Sequence, residues 1–105
     1  MPKTAEKIDS LEEALHLVGK KYDLLIIDSL MRNKGKRRFN QILKDLPATN
    51  PRILSIRLKE LEKNHLVAKS LVLGTPVKTE YSLTDKAEEL AEIVEKLKAW
   101  AQKHQ

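Results

Sequence analysis

The stretch Asn50-Pro51-Arg52-Ile53-Leu54-Ser55-Ile56-Arg57-Leu58-Lys59-Glu60-Leu61-Glu62-Lys63 decides how the rest of the chain is read. Asn50 is a good helix N-cap, and Pro51 suits the first helical position, where a missing N–H costs nothing. Leu54, Leu58 and Leu61 recur at spacings of four and three, so they form one stripe facing a core. At about 100° per residue, Arg52, Ile56, Lys59 and Lys63 fall on the opposite side, with Ser55 at its margin. One face is apolar; the other is basic and carries a hydroxyl and an aliphatic group. An ordinary amphipathic helix with a solvated face has the same periodicity. A helix that lies in the major groove of double-stranded DNA needs this distribution, because base edges are read by hydrogen bonds and apolar contacts. The flanking chain decides between the two readings.

Its charge is the first argument. The 105 residues carry a net charge of +5, but the sign is not scattered. Residues 32–79 hold twelve Lys/Arg against three Asp/Glu, whereas residues 1–31 and 80–105 each hold four against six. A basic middle between mildly acidic ends is an electrostatic footprint for a polyanion, and it coincides with the basic helix. The composition is otherwise that of one modest globular domain, 1–105, near the size at which dimerisation adds stability. There is no cysteine, which removes disulfides, thiolate metal sites and thiol redox chemistry. No apolar run approaches the ~20 residues that span a bilayer, and no signal peptide opens the chain, so no membrane is expected and a cytoplasmic location is the default.

Taken in order, residues 1–8 read as a flexible lead-in. Ser10 and Glu13 make a capping box, and Leu11, Ala14, Leu15 and Val18 follow on one helical stripe, ended by Gly19. A second helix, from about Lys21 to Arg32, is apolar nearly all round and belongs in the middle of the fold. Lys34-Gly35-Lys36-Arg37-Arg38 is a basic turn with room for a short strand. Phe39, Ile42, Leu43 and Leu46 give a short third helix that stops at Pro47. Joined through Pro47-Ala48-Thr49-Asn50 to the opening stretch, it predicts a helix-turn-helix over about 39–63. That fourth helix ends near Asn64-His65, with Asn as the left-handed stop where Gly is usual. Leu66 to Leu73 and Val77 to Leu83 flank Gly74-Thr75-Pro76 and predict a β-hairpin over about 66–83. A hairpin directly after a helix-turn-helix is a wing. Thr84 then caps a last helix over about 85–103, acidic near its start and basic later, as the helix dipole favours. The fold class is mainly α with a small β-hairpin, a winged helix-turn-helix. The last helix extends roughly 28 Å, more apolar face than one small domain covers, which points to a second copy as partner.

With that order in hand, the chain resembles the HxlR-type family of winged-helix transcriptional regulators, relatives of the MarR group. The likeness is carried by Ala14-Leu15-His16-Leu17-Val18-Gly19-Lys20-Lys21-Tyr22, where the family usually has Trp last, and by Arg38-Phe39-Asn40-Gln41-Ile42-Leu43. Leu58-Lys59-Glu60-Leu61-Glu62 and Glu80-Tyr81-Ser82-Leu83-Thr84 follow at family distances, so the likeness runs from about residue 11 to Trp100. The resemblance implies a homodimer joined by the first and last helices, through Leu11, Leu15, Leu90, Val94, Leu97, Trp100 and Ala101, bound to an operator with two-fold symmetry. Two departures stand out. Many members sense oxidants through a cysteine just before the first helix, and the region around Ile8-Asp9-Ser10 has none. His65 stands where the family commonly has Gly.

For a DNA binder the residues divide by contact. Arg52, Ser55, Ile56 and Lys59 are the candidates for base edges, with Arg52 suited to guanine and Ile56 to a thymine methyl. Lys34, Lys36, Arg37, Arg38, Asn50, Lys63, Lys69 and Lys78 are the candidates for phosphates. Arg57 lies nearer the core side and is assigned a structural or phosphate role. No cofactor or metal is expected, and a small-molecule effector is left open. An enzyme is disfavoured, since His16, His65 and His104 lie far apart and no nucleophile or phosphate loop accompanies them. The rival reading, a winged helix used for protein–protein contact, predicts an acidic or apolar outer face on the fourth helix, and that face is basic. RNA binding lacks an aromatic stacking platform.

Overall fold

The computed structural model describes residues 9–32 and 34–105; the lead-in expected over residues 1–8 lies outside them. Among these described residues five helices and three strands follow in the order α1 (Ser10–Val18), α2 (Asp23–Met31), β1 (Lys36–Arg38), α3 (Phe39–Asp45), α4 (Pro51–Lys63), β2 (Val67–Val72), β3 (Lys78–Leu83) and α5 (Asp85–Lys103). The expected winged helix-turn-helix is present, with boundaries shifted by a residue or two. The core gathers around α2, whose Ile26, Ile27 and Leu30 are fully buried. Leu54, Leu58 and Leu61 of α4 close over the same cluster, as their spacing predicts, and Ala87 and Val94 of α5 reach it from another side. Not all of α2 is hidden: Leu25 faces out, while Asp23, Asp28 and Ser29 are buried.

Local chemistry corrects the sequence reading at both helix starts. The cap of α1 is Asp9, whose carboxylate accepts from the Leu11 and Glu12 N–H groups at 3.1 and 3.3 Å; Ser10 is already the first helical residue. A carboxylate does this better than a hydroxyl because it also meets the positive end of the helix dipole. Helix α2 starts at Asp23 rather than Lys21 because Tyr22 turns into the left-handed region, with φ 82°. Its hydroxyl donates to Ala48 O at 3.0 Å, tying the start of α2 to the turn between α3 and α4.

The hairpin joins a third strand. β3 pairs antiparallel with β2 on one side and with β1 on the other, giving the order β1-β3-β2. The register sets Val67 against Leu83, Lys69 against Tyr81 and Leu71 against Thr79, and sets Arg38 of β1 against Glu80. Side chains alternate across a strand, so the buried Val67 and Tyr81 mark the inner face at the root of the hairpin.

The left-handed stop after α4 is His65, with φ 60°, and not Asn64, with φ −88°. Leu66 N–H donates to Leu61 O at 2.9 Å and His65 N–H to Glu62 O at 3.0 Å, the bond pair of a Schellman turn. The His65 carbonyl accepts from Thr84 Oγ1 at 2.7 Å, which fastens this turn to the start of α5. A side chain at φ 60° is strained where glycine is not. His65→Gly is therefore expected to stabilise the fold by about 0.5–1 kcal/mol, the relief of that strain less the greater freedom glycine has when unfolded. Urea denaturation measures it, and a destabilised variant would show that the His65 ring makes compensating contacts.

Candidate nucleic-acid interface

Helix α4 owes its start to Asn50, whose Oδ1 accepts from Ile53 N–H at 2.9 Å. That use of Asn50 is structural, and only its amide nitrogen is left for a phosphate. Along the outer face Arg52, Ile56, Lys59 and Lys63 are exposed and Ser55 is half-buried, Ile56 keeping 45% of its surface. An isoleucine that open to solvent between cations is what a contact surface needs. Among the described residues Arg38, Arg52, Lys59, Lys63, Lys69 and Lys78 form no ion pair with a carboxylate.

Three aspartates of α2 and α3 are taken by other cations. Asp23, fully buried, accepts from Arg57 Nε at 2.9 Å and from Lys20 N–H at 3.0 Å. Arg57 thereby holds the inner side of α4 to the first turn of α2. Asp45, at the end of α3, takes two guanidinium nitrogens of Arg37 at 2.8–3.1 Å and the Ser29 hydroxyl at 2.7 Å. Asp28 of α2 takes Arg32 at 3.0 Å and also pairs with Lys98 of α5. The Ser29 hydroxyl and the Arg37 guanidinium hold the Asp45 carboxyl below the usual carboxylate range against the effect of burial. Burial would raise Asp28, and the Lys98 and Arg32 contacts outweigh it, so that carboxyl is lowered as well.

Arg37, one of the residues expected at phosphate, makes a bidentate bond to Asp45 that joins β1 to α3. Arg38 makes no such pair. Its backbone N–H donates to Gln41 Oε1 at 2.9 Å, and its side chain opens on a cleft shared with Asn40, Lys78 and Thr79. The start of α3 and the first residue of β3 therefore share one basic hollow. Lys34 and Lys36 are exposed before and on β1, and Lys69 is exposed on β2. For the partner face, Leu11 and Leu15 of α1 and Leu97, Trp100 and Ala101 of α5 are exposed. Val94 is buried in the chain's own core, and Leu90, one turn earlier, is half-buried against it. The Asp23–Arg57 pair escaped the sequence reading, although an aspartate in a nearly all-apolar helix demands a cation and Arg57 is the arginine on the inner side of α4.

Fold and surface together define a helix-turn-helix protein whose outer helix and wing are cationic. The HxlR-like helix-turn-helix model matches residues 17–105, and the chain belongs to that family. It is 40% identical to the HTH-type transcriptional regulator YodB of Bacillus subtilis over 91 residues, 87% of this chain and 80% of that protein. It is 39% identical to the HTH-type transcriptional regulator YvaP of the same organism over 97 residues, 92% of this chain and 88% of that one. The redox regulator HypR in its oxidised form superposes with a TM-score of 0.82 at 30% identity, covering 90% of this chain and 96% of that one. The chain is accordingly a DNA-binding transcriptional regulator and not an enzyme.

Two stability outcomes follow from the ion pairs. Asp23→Ala leaves Arg57 buried without its partner and is expected to cost about 3–5 kcal/mol, with the double variant Asp23→Ala/Arg57→Met less destabilised than the single one. Equal losses in chemical denaturation would refute a role for the unpaired cation. Asp45 binds its proton more weakly when folded than when unfolded, so its contribution is present above the ordinary carboxylate pKa of about 4 and fades as pH falls below it. The stability gap between wild type and Asp45→Asn should be constant above about pH 5 and narrow toward pH 2. A gap that widens on acidification contradicts the lowered pKa.

Proposed function

We infer that the chain is a single winged helix-turn-helix domain that binds double-stranded DNA sequence-specifically, as a homodimer on an operator with two-fold symmetry. The observation that carries this reading is the outer face of α4, cationic along its length and free of carboxylate partners among the described residues. A helix of that charge fits the major groove, with Arg52, Ser55, Ile56 and Lys59 at base edges. Arg38 and Lys78, across their shared hollow, and Lys34, Lys36, Lys63 and Lys69 around it supply phosphate contacts that fix orientation without reading sequence. The Asn50 amide adds one at the start of α4.

The dimer rests on the exposed apolar residues of α1 and α5. Leu11, Leu15, Leu97 and Trp100 each keep about half or more of their surface, which is unusual clustering for a face meant to stay in water. A two-fold dimer through α1 and α5 covers them and presents two copies of α4. HypR is by its description a redox regulator. The 105 residues here hold no cysteine, so any signal this chain receives reaches it by other chemistry than thiol oxidation.

The two classes of contact separate in one experiment. Arg38→Ala is expected to weaken binding to all duplexes alike and to reduce the slope of log affinity against log salt by about 0.9, one phosphate's worth. Arg52→Ala is expected to cost about 1–3 kcal/mol on the selected operator and to relax preference at one base pair. Fluorescence anisotropy across a salt series reads both. Identical salt slopes for wild type and Arg38→Ala remove Arg38 from the interface, and affinity indifferent to salt removes the electrostatic basis of the reading.

A further inference from the structure

Two carboxylates on α2 point away from each other. Asp23 and Asp28 are five residues apart, about 140° around a helix, so α2 lies between the two elements they hold. Asp23 takes Arg57 of α4, and Asp28 takes Lys98 of α5. Helix α4 and the long C-terminal helix are therefore both tied by charge to one stretch of α2 about 7.5 Å long. Lys98 occupies an unusual place on α5. Val94, one turn earlier on the same face, is buried in the core, and the next residue of that stripe is a lysine instead of an apolar group. The neighbouring face turns outward there, with Leu97 and Trp100 keeping 48% and 64% of their surface. Among the described residues, Lys98–Asp28 is the ion pair that joins this distal half of α5 to another element.

The pair is held from both sides. Asp28 keeps 6% of its surface and its Oδ2 accepts from Arg32 at 3.0 Å, while Lys98 also meets Glu95 at 3.2 Å. The bond to Asp28 first, and that to Glu95 second, raises the Lys98 ammonium above the ordinary lysine value, and the Asp28 carboxyl is lowered, so both stay charged. An apolar residue at this position would pack α5 without the desolvation that a buried carboxylate costs. A charged contact supplies what apolar packing does not, a fixed direction. We propose that Lys98 is a positioning residue for operator spacing: through Asp28 it fixes the tilt of the distal half of α5 against α2, and with it the separation of the two α4 helices in the dimer. This rests on the dimeric DNA reading above. A tilt of about 10° carried over about 20 Å, within the 53 Å long axis of the molecule, moves α4 by about 3.5 Å, one base-pair step of B-DNA. A loose joint at this point lets one dimer accept several spacings; a clamped joint admits one.

The test uses the full chain and duplexes carrying its selected half-sites at the selected separation, or with one base pair added or removed between them. Each such pair moves a half-site by about 3.4 Å and turns it by about 35°. Wild type is expected to prefer its selected separation about tenfold or more, the scale of a mismatched base pair. Lys98→Met keeps the stem and loses the charge, and its preference should fall to about threefold or less on that scale. Its affinity for a duplex with one half-site should match wild type, which shows the fold and the DNA contacts intact. Lys98→Arg, which still reaches Asp28, should restore most of the preference. Asp28→Asn should lose it as Lys98→Met does, and the double variant Asp28→Asn/Lys98→Met should lose no more than either single one, because the two residues act as a unit. Lys103→Met, the same change at a lysine with no ion pair among the described residues, should leave the preference alone. A Lys98→Met protein that keeps the tenfold preference, or losses that add in the double variant, overturn the proposal and make the pair a matter of stability alone, with the regulator reading untouched. A Lys98→Met protein that sediments as a monomer where wild type is a dimer also overturns it, because the pair then holds the copies together and does not space them. A wild type that binds one half-site as tightly as two removes the dimeric reading and this inference with it.

Discussion

The buried Asp23–Arg57 ion pair sets the attitude of α4. Asp23 has no surface in contact with solvent, and among the described residues the cation paired with it is Arg57, on the inner side of α4. Three leucines also hold α4 to the core, but apolar contact is non-directional and tolerates rotation about the helix axis. Two guanidinium nitrogens on one carboxylate do not. The pair therefore fixes which residues of α4 face outward. The same carboxylate accepts the Lys20 N–H, and Tyr22 next to it bonds to Ala48, so the link before α2 and the turn before α4 are held by neighbouring residues.

The distribution of acid in the chain has a second effect. Asp23, Asp28 and Asp45 each consume a cation that stitches two elements together or closes one turn. Among the described residues Arg38, Arg52, Lys59, Lys63, Lys69 and Lys78 are left without a carboxylate partner, and their field adds up over one surface instead of cancelling in pairs. A protein with the same net charge and the opposite assignment, structural arginines unpaired and outer lysines paired, would keep its pI and lose its affinity for a polyanion. Net charge is a weak guide; which charges are spent inside is the informative quantity.

Most of the fold is legible in the sequence. The period of Leu54, Leu58 and Leu61, the Asn50-Pro51 start and the Thr84 cap are local signals, and each held because nothing tertiary opposed it. The sequence leaves a choice open where one residue type has two uses. Arg37 and Arg38 are adjacent and chemically alike, and only the fold shows that Asp45 comes within reach of one of them. Val94 shares a stripe with Leu97 and Ala101, yet α5 outruns the domain, so its first half packs inward and its second half does not. Asn64 and His65 compete for one left-handed position, and a shift of a single residue in where α4 ends decides between them. Asp9 against Ser10 is the same kind of ambiguity. Local pattern says that a cap exists; the hydrogen bonds say which side chain makes it.

The strand order has a mechanical corollary. β3 is the middle strand, fastened on one side to its hairpin mate and on the other to β1, whose last residue runs straight into α3. The hairpin cannot swing without dragging the start of the helix pair, and the Arg37–Asp45 clasp stiffens that connection further. In the proposed dimer each half would then move as one stamp, and switching would change the separation or tilt between two stamps, acting through the long C-terminal rod and its mate rather than through the parts proposed to meet DNA.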